Sequence, residues 1–149
     1  MKILGIYGGQ DANGLTASLV KEVLAGVAAP ATTEFVDLNQ YQIHPDKPET
    51  TNPTLDKLAA KLKAADVWVL GTPTYFGTVA GQFKQLLDCM RHRMTRMTHK
   101  GDTLPGQFKD KHYVSVTSCF ATGLDNTFTH QTTGSMVAAD KTPTAARVH

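Results

Sequence analysis

The chain has 149 residues, of which 41% are hydrophobic and 19% charged, and a formal net charge of +2; this fits one globular domain over residues 1–149 and excludes a disordered chain. No apolar run approaches the roughly 20 residues of a membrane span, and the two cysteines, Cys89 and Cys119, are too few for a disulfide scaffold. No secretory signal precedes the first strand-like run, so we expect a soluble cytoplasmic protein with free thiols.

Short apolar runs alternate with helical patterns along the first half of the chain. The run Lys2–Ile6 predicts a strand that ends at a pair of glycines, and apolar residues at spacings of three and four then predict a helix over Thr16–Ala29. Glu34–Leu38 and Asp66–Gly71 predict the second and third strands, and Thr54 is placed to cap the helix between them.

The same alternation continues after the third strand. Apolar residues from Phe83 to Met94 predict a third helix, His112–Ser118 predicts a fourth strand, and a weak apolar stripe around Asn126–Ala139 predicts one more helix. Strands and helices that alternate at these lengths form a parallel sheet covered on both faces, so we expect an α/β fold, a three-layer α/β/α sandwich. Such sheets bind ligands at the carboxyl ends of their strands.

The loop after the first strand carries a phosphate-binding pattern with one departure. From Gly9 to Thr16 it reads G-x-x-x-x-G-x-T, but Leu15 stands where a nucleoside-triphosphate site needs lysine, which excludes an NTPase. A monophosphate needs only backbone N–H groups and a hydroxyl, which Asn13, Gly14 and Thr16 provide. The alternative is a glycine-rich turn that Thr16 caps, and the segment alone leaves both open.

The loop after the third strand combines turn residues with large aromatic side chains. Pro73 and Gly77 predict a tight turn off the strand end, and Tyr75 and Phe76 lie between them in a loop that we expect to be exposed. Exposed aromatic rings beside backbone donors suit a flat heteroaromatic ligand. The alternative is that these rings only cover the end of the sheet.

This third loop also carries a resemblance to a known family. The segment T-P-T-Y-F-G, with Gln82-Phe83-Lys84 and Leu87-Asp88 in register after it, resembles the NADPH-dependent FMN reductases of the flavodoxin-like superfamily. Its start is also similar to quinone reductases of the tryptophan-repressor-binding-protein type. The resemblance covers Met1 to Cys119, and the first loop departs from it at Asp11, where the family often has arginine.

The resemblance implies that the chain binds FMN and uses NADPH or NADH as co-substrate, with the flavin carrying the chemistry. It implies cofactor-binding residues in three groups: at the phosphate Gly9, Gln10, Asn13, Gly14 and Thr16; beside the ring Pro73, Thr74, Tyr75, Phe76 and Gly77; and on the other side of the ring Ser118, Cys119 and Phe120. It demands no catalytic side chain. We expect no metal, because the region where some relatives carry an iron–sulfur cluster holds no cysteine here.

The end of the chain departs from the five-stranded sheet of flavodoxin-like domains, in which the strand order is 2-1-3-4-5. Val137–His149 contains no further apolar run, so we expect the fifth strand to be missing and the fourth to lie at an exposed edge. Either a second subunit covers this edge, or the tail of the chain folds over it, or the chain is a degenerate member of its fold. Because flavin sites of the family tend to lie between subunits, the resemblance favours the first and implies a homodimer or homotetramer.

The first functional hypothesis is hydride transfer from a reduced nicotinamide to FMN and on to a flavin or quinone. A second is a flavodoxin-like electron carrier without a nicotinamide site, and a third is a flavin-fold protein that binds a partner and has lost catalysis. Residues 84–111 carry a net charge of +4, but they hold no nucleic-acid-recognition motif, so we expect no nucleic acid and no membrane as partners.

Overall fold

A computed structural model of the chain describes residues 1–46, 51–94, 96–97, 103–104, 111–119 and 145–147. Strands and helices alternate along most of these residues. The elements are β1 (Lys2–Tyr7), α1 (Leu15–Ala25), β2 (Thr32–Asp37), α2 (Pro53–Ala64), β3 (Val67–Tyr75), β4 (Thr78–Val79), α3 (Gly81–Met94), β5 (Arg96–Met97), β6 (Thr103–Leu104), β7 (His112–Ser118) and β8 (Ala145–Arg147), with a 3-10 turn over Leu38–Gln40 after β2.

The main sheet has the strand order β2-β1-β3-β7-β8, and all four of these pairings are parallel. The short β4 pairs antiparallel with the end of β3, while β5 and β6 form a separate two-stranded sheet. The predicted α/β sandwich with a flavodoxin-like parallel sheet is therefore confirmed.

The expectation that the fifth strand is missing is wrong. Residues Ala145–Arg147 form β8, which pairs with Tyr113–Ser115 of β7. Two alanines and an arginine make no apolar or β-branched run, so hydropathy has nothing to detect at this strand. Only the backbone pairing identifies it.

Several element boundaries also differ from the predictions, and the second strand, for example, spans Thr32–Asp37 instead of Glu34–Leu38. The first helix ends at Ala25 instead of Ala29, because Gly26 follows as its C-cap. The second helix begins at Pro53, and its cap lies two residues before the predicted Thr54: the side chain of Asn52 accepts a hydrogen bond from the Leu55 amide at 3.2 Å. The third strand continues to Tyr75, through residues expected to form a loop. The helix predicted around residues 126–139 lies outside the described residues.

Helix α1 covers one face of the sheet, and α2 and α3 cover the other. Val20 and Leu24 of α1 pack in a buried cluster with Ile3, Val69 and Val116, and the second cluster holds the apolar residues of α2 and α3. Gly71 lets α1 approach closely, since a Cβ there would lie 2.2 Å from Val20 Cγ2. This approach fixes where the first turn of α1 meets the end of the sheet.

Among the described residues, no helix has both the length and the apolar character needed to cross a lipid bilayer.

Candidate functional site

The loops after β1, β3 and β7 meet at the carboxyl edge of the sheet. The Gly8 amide donates to the Gly71 carbonyl at 3.0 Å, and a Cβ on Gly9 would lie 2.8 Å from Pro73 Cδ. Pro73 is in turn the register partner of Ser118 on β7. The three segments in which the sequence places its candidate residues are therefore contiguous in the structure.

The first turn of α1 points its N–H groups at this edge. The N-cap is Gly14, which has no side chain to accept from them, and the turn contains no acidic residue. The first N–H groups of a helix have no partner within the helix and attract anions. Thr16 in the same turn is 3% exposed, and its Oγ1 lies 2.5 Å from Ser118 Oγ. The arrangement offers several donors to one small anion.

Two side chains that the sequence analysis did not single out hold the first loop in place. The Tyr7 hydroxyl donates to the Asp11 carbonyl at 2.7 Å, and Asn39 Nδ2 donates to the Gly9 carbonyl at 2.8 Å. Asn39 is itself oriented by Asp37, whose carboxylate accepts from the same Nδ2 at 2.7 Å. Both residues lie at or just after the ends of neighbouring parallel strands, and that position is the signal that identifies them.

The Tyr7 phenol is a neutral donor at physiological pH. Burial of the phenol raises its pKa above the usual value of 10.0, and the nearby Tyr75, Asp11 and Asp37 act in the same direction. The hydrogen bond to the Asp11 carbonyl opposes this shift without reversing it. The hydrogen bond from Tyr7 to the first loop therefore does not depend on pH in the neutral range.

Asp11 shapes the loop through its own carboxylate. Its Oδ1 accepts from the Asn13 amide at 2.9 Å, and its carbonyl accepts from the Gly14 amide at 3.0 Å. This is an Asx-type turn that leads the chain into α1. The Asn13 amide is therefore already engaged, which leaves the helix amides beyond Gly14 and the Thr16 hydroxyl as donors for an anion.

The loop after β3 is a tight hairpin with an aromatic tip. Tyr75 pairs with Thr78, and the two residues between them, Phe76 and Gly77, have φ angles of 51° and 74°. Two positive φ angles are the mark of a type I′ turn, in which the first position normally holds asparagine, aspartate or glycine. Phe76 is fully exposed and Tyr75 is 40% exposed. A bulky residue in this conformation is strained by about 1–3 kcal/mol.

Thr72 lies just before this hairpin, and Thr74 is one of its paired residues. The Thr72 hydroxyl accepts from the Ala80 amide and donates to the Pro73 carbonyl, both at 3.0 Å, so it ties the hairpin to the start of α3. Thr74 Oγ1 is buried and has no hydrogen-bond partner in the part of the chain that the structure describes. An unmade buried hydrogen bond costs about 1–3 kcal/mol.

The structure places the predicted residues as follows. The loop and first helical turn after β1 contain all five residues predicted at a phosphate: Gly9, Gln10, Asn13, Gly14 and Thr16. The hairpin contains all five predicted beside a ring: Pro73, Thr74, Tyr75, Phe76 and Gly77. Ser118 is the last residue of β7, and Cys119 follows it. The side chain of Ser118 contacts Thr16 in the first turn of α1. Phe120 lies outside the described residues. The ligand contacts of these residues stay predictions.

Comparison with known proteins identifies relatives over most of the chain. The sequence model of the family described as NADPH-dependent FMN reductase matches residues 1–125. An iron–sulfur flavoprotein of Methanocaldococcus jannaschii is 37% identical over 101 aligned positions, which cover 61% of this chain and 52% of that protein. The NAD(P)H-dependent FAD/FMN reductase of Geobacillus thermodenitrificans is 28% identical over 114 positions, covering 69% of this chain and 61% of that one. The chain thus spans about half the length of the first of these relatives.

A solved structure shares the fold. The FMN-dependent NADH-azoreductase from Bacillus anthracis, crystallised with FMN, superposes with a TM-score of 0.73 over 99% of this chain and 85% of its own. The two sequences are 12% identical, so this likeness concerns the fold.

Proposed function

The chain belongs to the family of NADPH-dependent FMN reductases, and from that premise we propose that it holds FMN, takes hydride from NADPH or NADH and reduces a flavin or a quinone. The proposal rests on one observation: the first turn of α1 and the hairpin after β3 lie at the same edge of the sheet. The first turn of α1 offers donors for a phosphate, and the hairpin after β3 offers aromatic faces for a planar ring.

The residues present fit FMN. Its phosphate would be held by the α1 amides beyond Gly14 and by the Thr16 hydroxyl, and its ring would lie against the hairpin of Tyr75, Phe76 and Gly77. When bound, FMN supplies the two-electron redox chemistry.

The contribution of the chain itself is binding and orientation. Tyr7 and Asn39 fix the path of the first loop, and Thr72 fixes the hairpin, so both ends of the site are set before a ligand arrives. A site that holds the flavin and the nicotinamide together would raise their effective concentration. This chemistry needs no side-chain acid or base, and we assign none.

An iron–sulfur cluster is not part of the proposal. Such clusters are held by four protein ligands, most often cysteines, and this chain has only Cys89 and Cys119. Cys89 is buried, and its thiol contacts the His44 carbonyl at 3.3 Å. The likeness to the M. jannaschii flavoprotein therefore supports the flavin and not the cluster.

We also propose that the protein works as a homodimer or homotetramer. Leu15 and Leu19 on α1 are exposed at 68% and 40%, and the hairpin tip at Phe76 is fully exposed. These apolar side chains belong to the two elements that form the site, which supports an interface near it.

The test is the visible absorbance of the purified protein after incubation with excess FMN and removal of free flavin, followed by NADPH and NADH oxidation with a quinone or free FMN as acceptor. The expected result is a retained flavin band and steady turnover. Retained flavin without turnover would point to an electron carrier, and a colourless protein that does not quench flavin fluorescence would overturn the proposal.

A further inference from the structure

The contact between Thr16 and Ser118 joins two parts of the site that are 102 residues apart in sequence. Ser118 lies on the face of β7 that carries Val114 and Val116, which pack toward α1, because side chains alternate along a strand. Its hydroxyl therefore meets α1 at the helix N-terminus. Within the described residues, Ser118 is the side chain that contacts the Thr16 hydroxyl.

The number of protons on the two hydroxyls determines the direction of this hydrogen bond once an anion is bound. Each hydroxyl can donate once and accept twice, and phosphate oxygens at neutral pH act as acceptors. If Thr16 donates its single proton to the phosphate, it has none left for Ser118. Ser118 must then be the donor within the pair, so the bonds run from Ser118 to Thr16 and from Thr16 to the phosphate.

We propose that Ser118 is a positioning residue that acts through Thr16 and makes the site selective for phosphorylated flavin over riboflavin. This inference rests on the proposed function. By donating to Thr16 Oγ1, Ser118 fixes the rotamer of that hydroxyl and strengthens it as a donor, because linked hydrogen bonds polarise one another. Riboflavin has no phosphate and gains nothing from this arrangement.

The experiment compares the affinities for FMN and for riboflavin by flavin fluorescence titration of the full chain. We expect Ser118→Ala to weaken FMN by roughly 5- to 20-fold and Thr16→Val by roughly 10- to 100-fold, while riboflavin changes by less than about two-fold in both. Ser118→Thr retains a hydroxyl and restores most of the affinity for FMN. The double variant binds FMN no more weakly than Thr16→Val alone.

The matched control is Thr117→Val, which removes a hydroxyl from the same strand but on the opposite face of the sheet and nearly preserves the side-chain shape. It should leave both affinities unchanged. Equal loss of FMN and riboflavin in Ser118→Ala would mean a merely structural role, and additive losses in the double variant would mean that Ser118 contacts the phosphate directly; either overturns the inference.

The inference and the proposed function fail in different ways. If the unaltered protein binds FMN and Ser118→Ala binds it equally well, only the inference is wrong. If the unaltered protein binds FMN no better than riboflavin, the inference is wrong although a flavin site exists. If it binds neither flavin, the proposed function is wrong and the inference falls with it.

Discussion

At Phe76, the stability of the fold favours glycine, whereas the proposed ligand favours an aromatic ring. A phenyl ring at the tip of a hairpin with φ of 51° is exposed to solvent and lies in a backbone conformation that favours glycine. Among the described residues, no packing contact requires a ring there. The residue is explained if the ring serves a ligand or a second subunit, because strained positions persist where they have a use.

Phe76→Gly should therefore raise the free energy of unfolding by about 1 kcal/mol, because it relieves the strained φ angle. The same change should weaken the binding of FMN, since an aromatic face is lost from the hairpin. Urea unfolding and fluorescence titration measure the two effects separately. Phe76→Leu is the control: it keeps the strained backbone and loses the ring, so it should weaken FMN without a gain in stability. A glycine variant that is less stable than the unaltered protein would contradict the strain argument.

At the scale of single elements, the position of α1 depends on Gly71 in the strand that the helix covers. Val20 is fully buried against Gly71, and a Cβ on Gly71 would force the Val20 side chain or the helix itself to move. Because Thr16 is one turn away from Val20 on the same helix, a displacement of α1 also displaces the hydroxyl proposed to hold the phosphate.

Gly71→Ala should lower the free energy of unfolding by about 1–3 kcal/mol, as overpacking of a core does. Combining it with Val20→Ala should cost less than the sum of the two single changes, because the smaller residue makes room for the new methyl group. Gly81→Ala is the matched control, since a Cβ there meets nothing within 4 Å. Thermal or urea unfolding of the four variants tests this. If the losses of unfolding free energy from Gly71→Ala and Val20→Ala were strictly additive, the two residues would not be in steric conflict.

The elements also show which features the sequence alone predicts. The strand His112–Ser118 has the predicted bounds because its β-branched residues and flanking loop are unambiguous. The pairing of residues 74–75 with 78–79 was missed, since Thr-Pro-Thr-Tyr-Phe-Gly has the composition of a loop and its turn uses phenylalanine where asparagine is expected. The Thr16–Ser118 contact depends on the packing of α1 against β7, which no local pattern encodes.

At the scale of the whole molecule, a group of charges stabilises the end of the sheet opposite the site. Glu34 on β2 pairs with Lys2 on β1 at 3.0 Å and with Lys61 on α2, so one carboxylate links three elements. The hydrogen bonds from Lys61 and Lys2 lower the pKa of Glu34 below its usual value of 4.5. The folded state therefore releases this proton more readily than the unfolded state.

Such a shift stabilises the protein above the unfolded-state pKa, and the stabilisation is lost as the pH falls through the folded-state pKa. Glu34→Gln should lower the free energy of unfolding by about 0.5–1 kcal/mol at pH 7, in keeping with a partly exposed pair, and should lower it by less at pH 3. Urea unfolding at both pH values tests this. Glu22→Gln, an exposed carboxylate on α1, is the control. A deficit that persists unchanged at pH 3 would show that the ion pairs are not its source.

Glu34 lies beside Leu4 of β1, whereas Ser118 lies two residues beyond the level of Tyr7, the last residue of β1. Along the strands, the charge cluster and the Thr16–Ser118 pair are therefore roughly 17 Å apart. Charges at that separation are screened at physiological salt, where the Debye length is about 8 Å, and substitutions so far apart combine additively. Selection acting on this chain can therefore adjust tolerance of acid or heat at one end and ligand choice at the other, without a gain in one trait forcing a loss in the other.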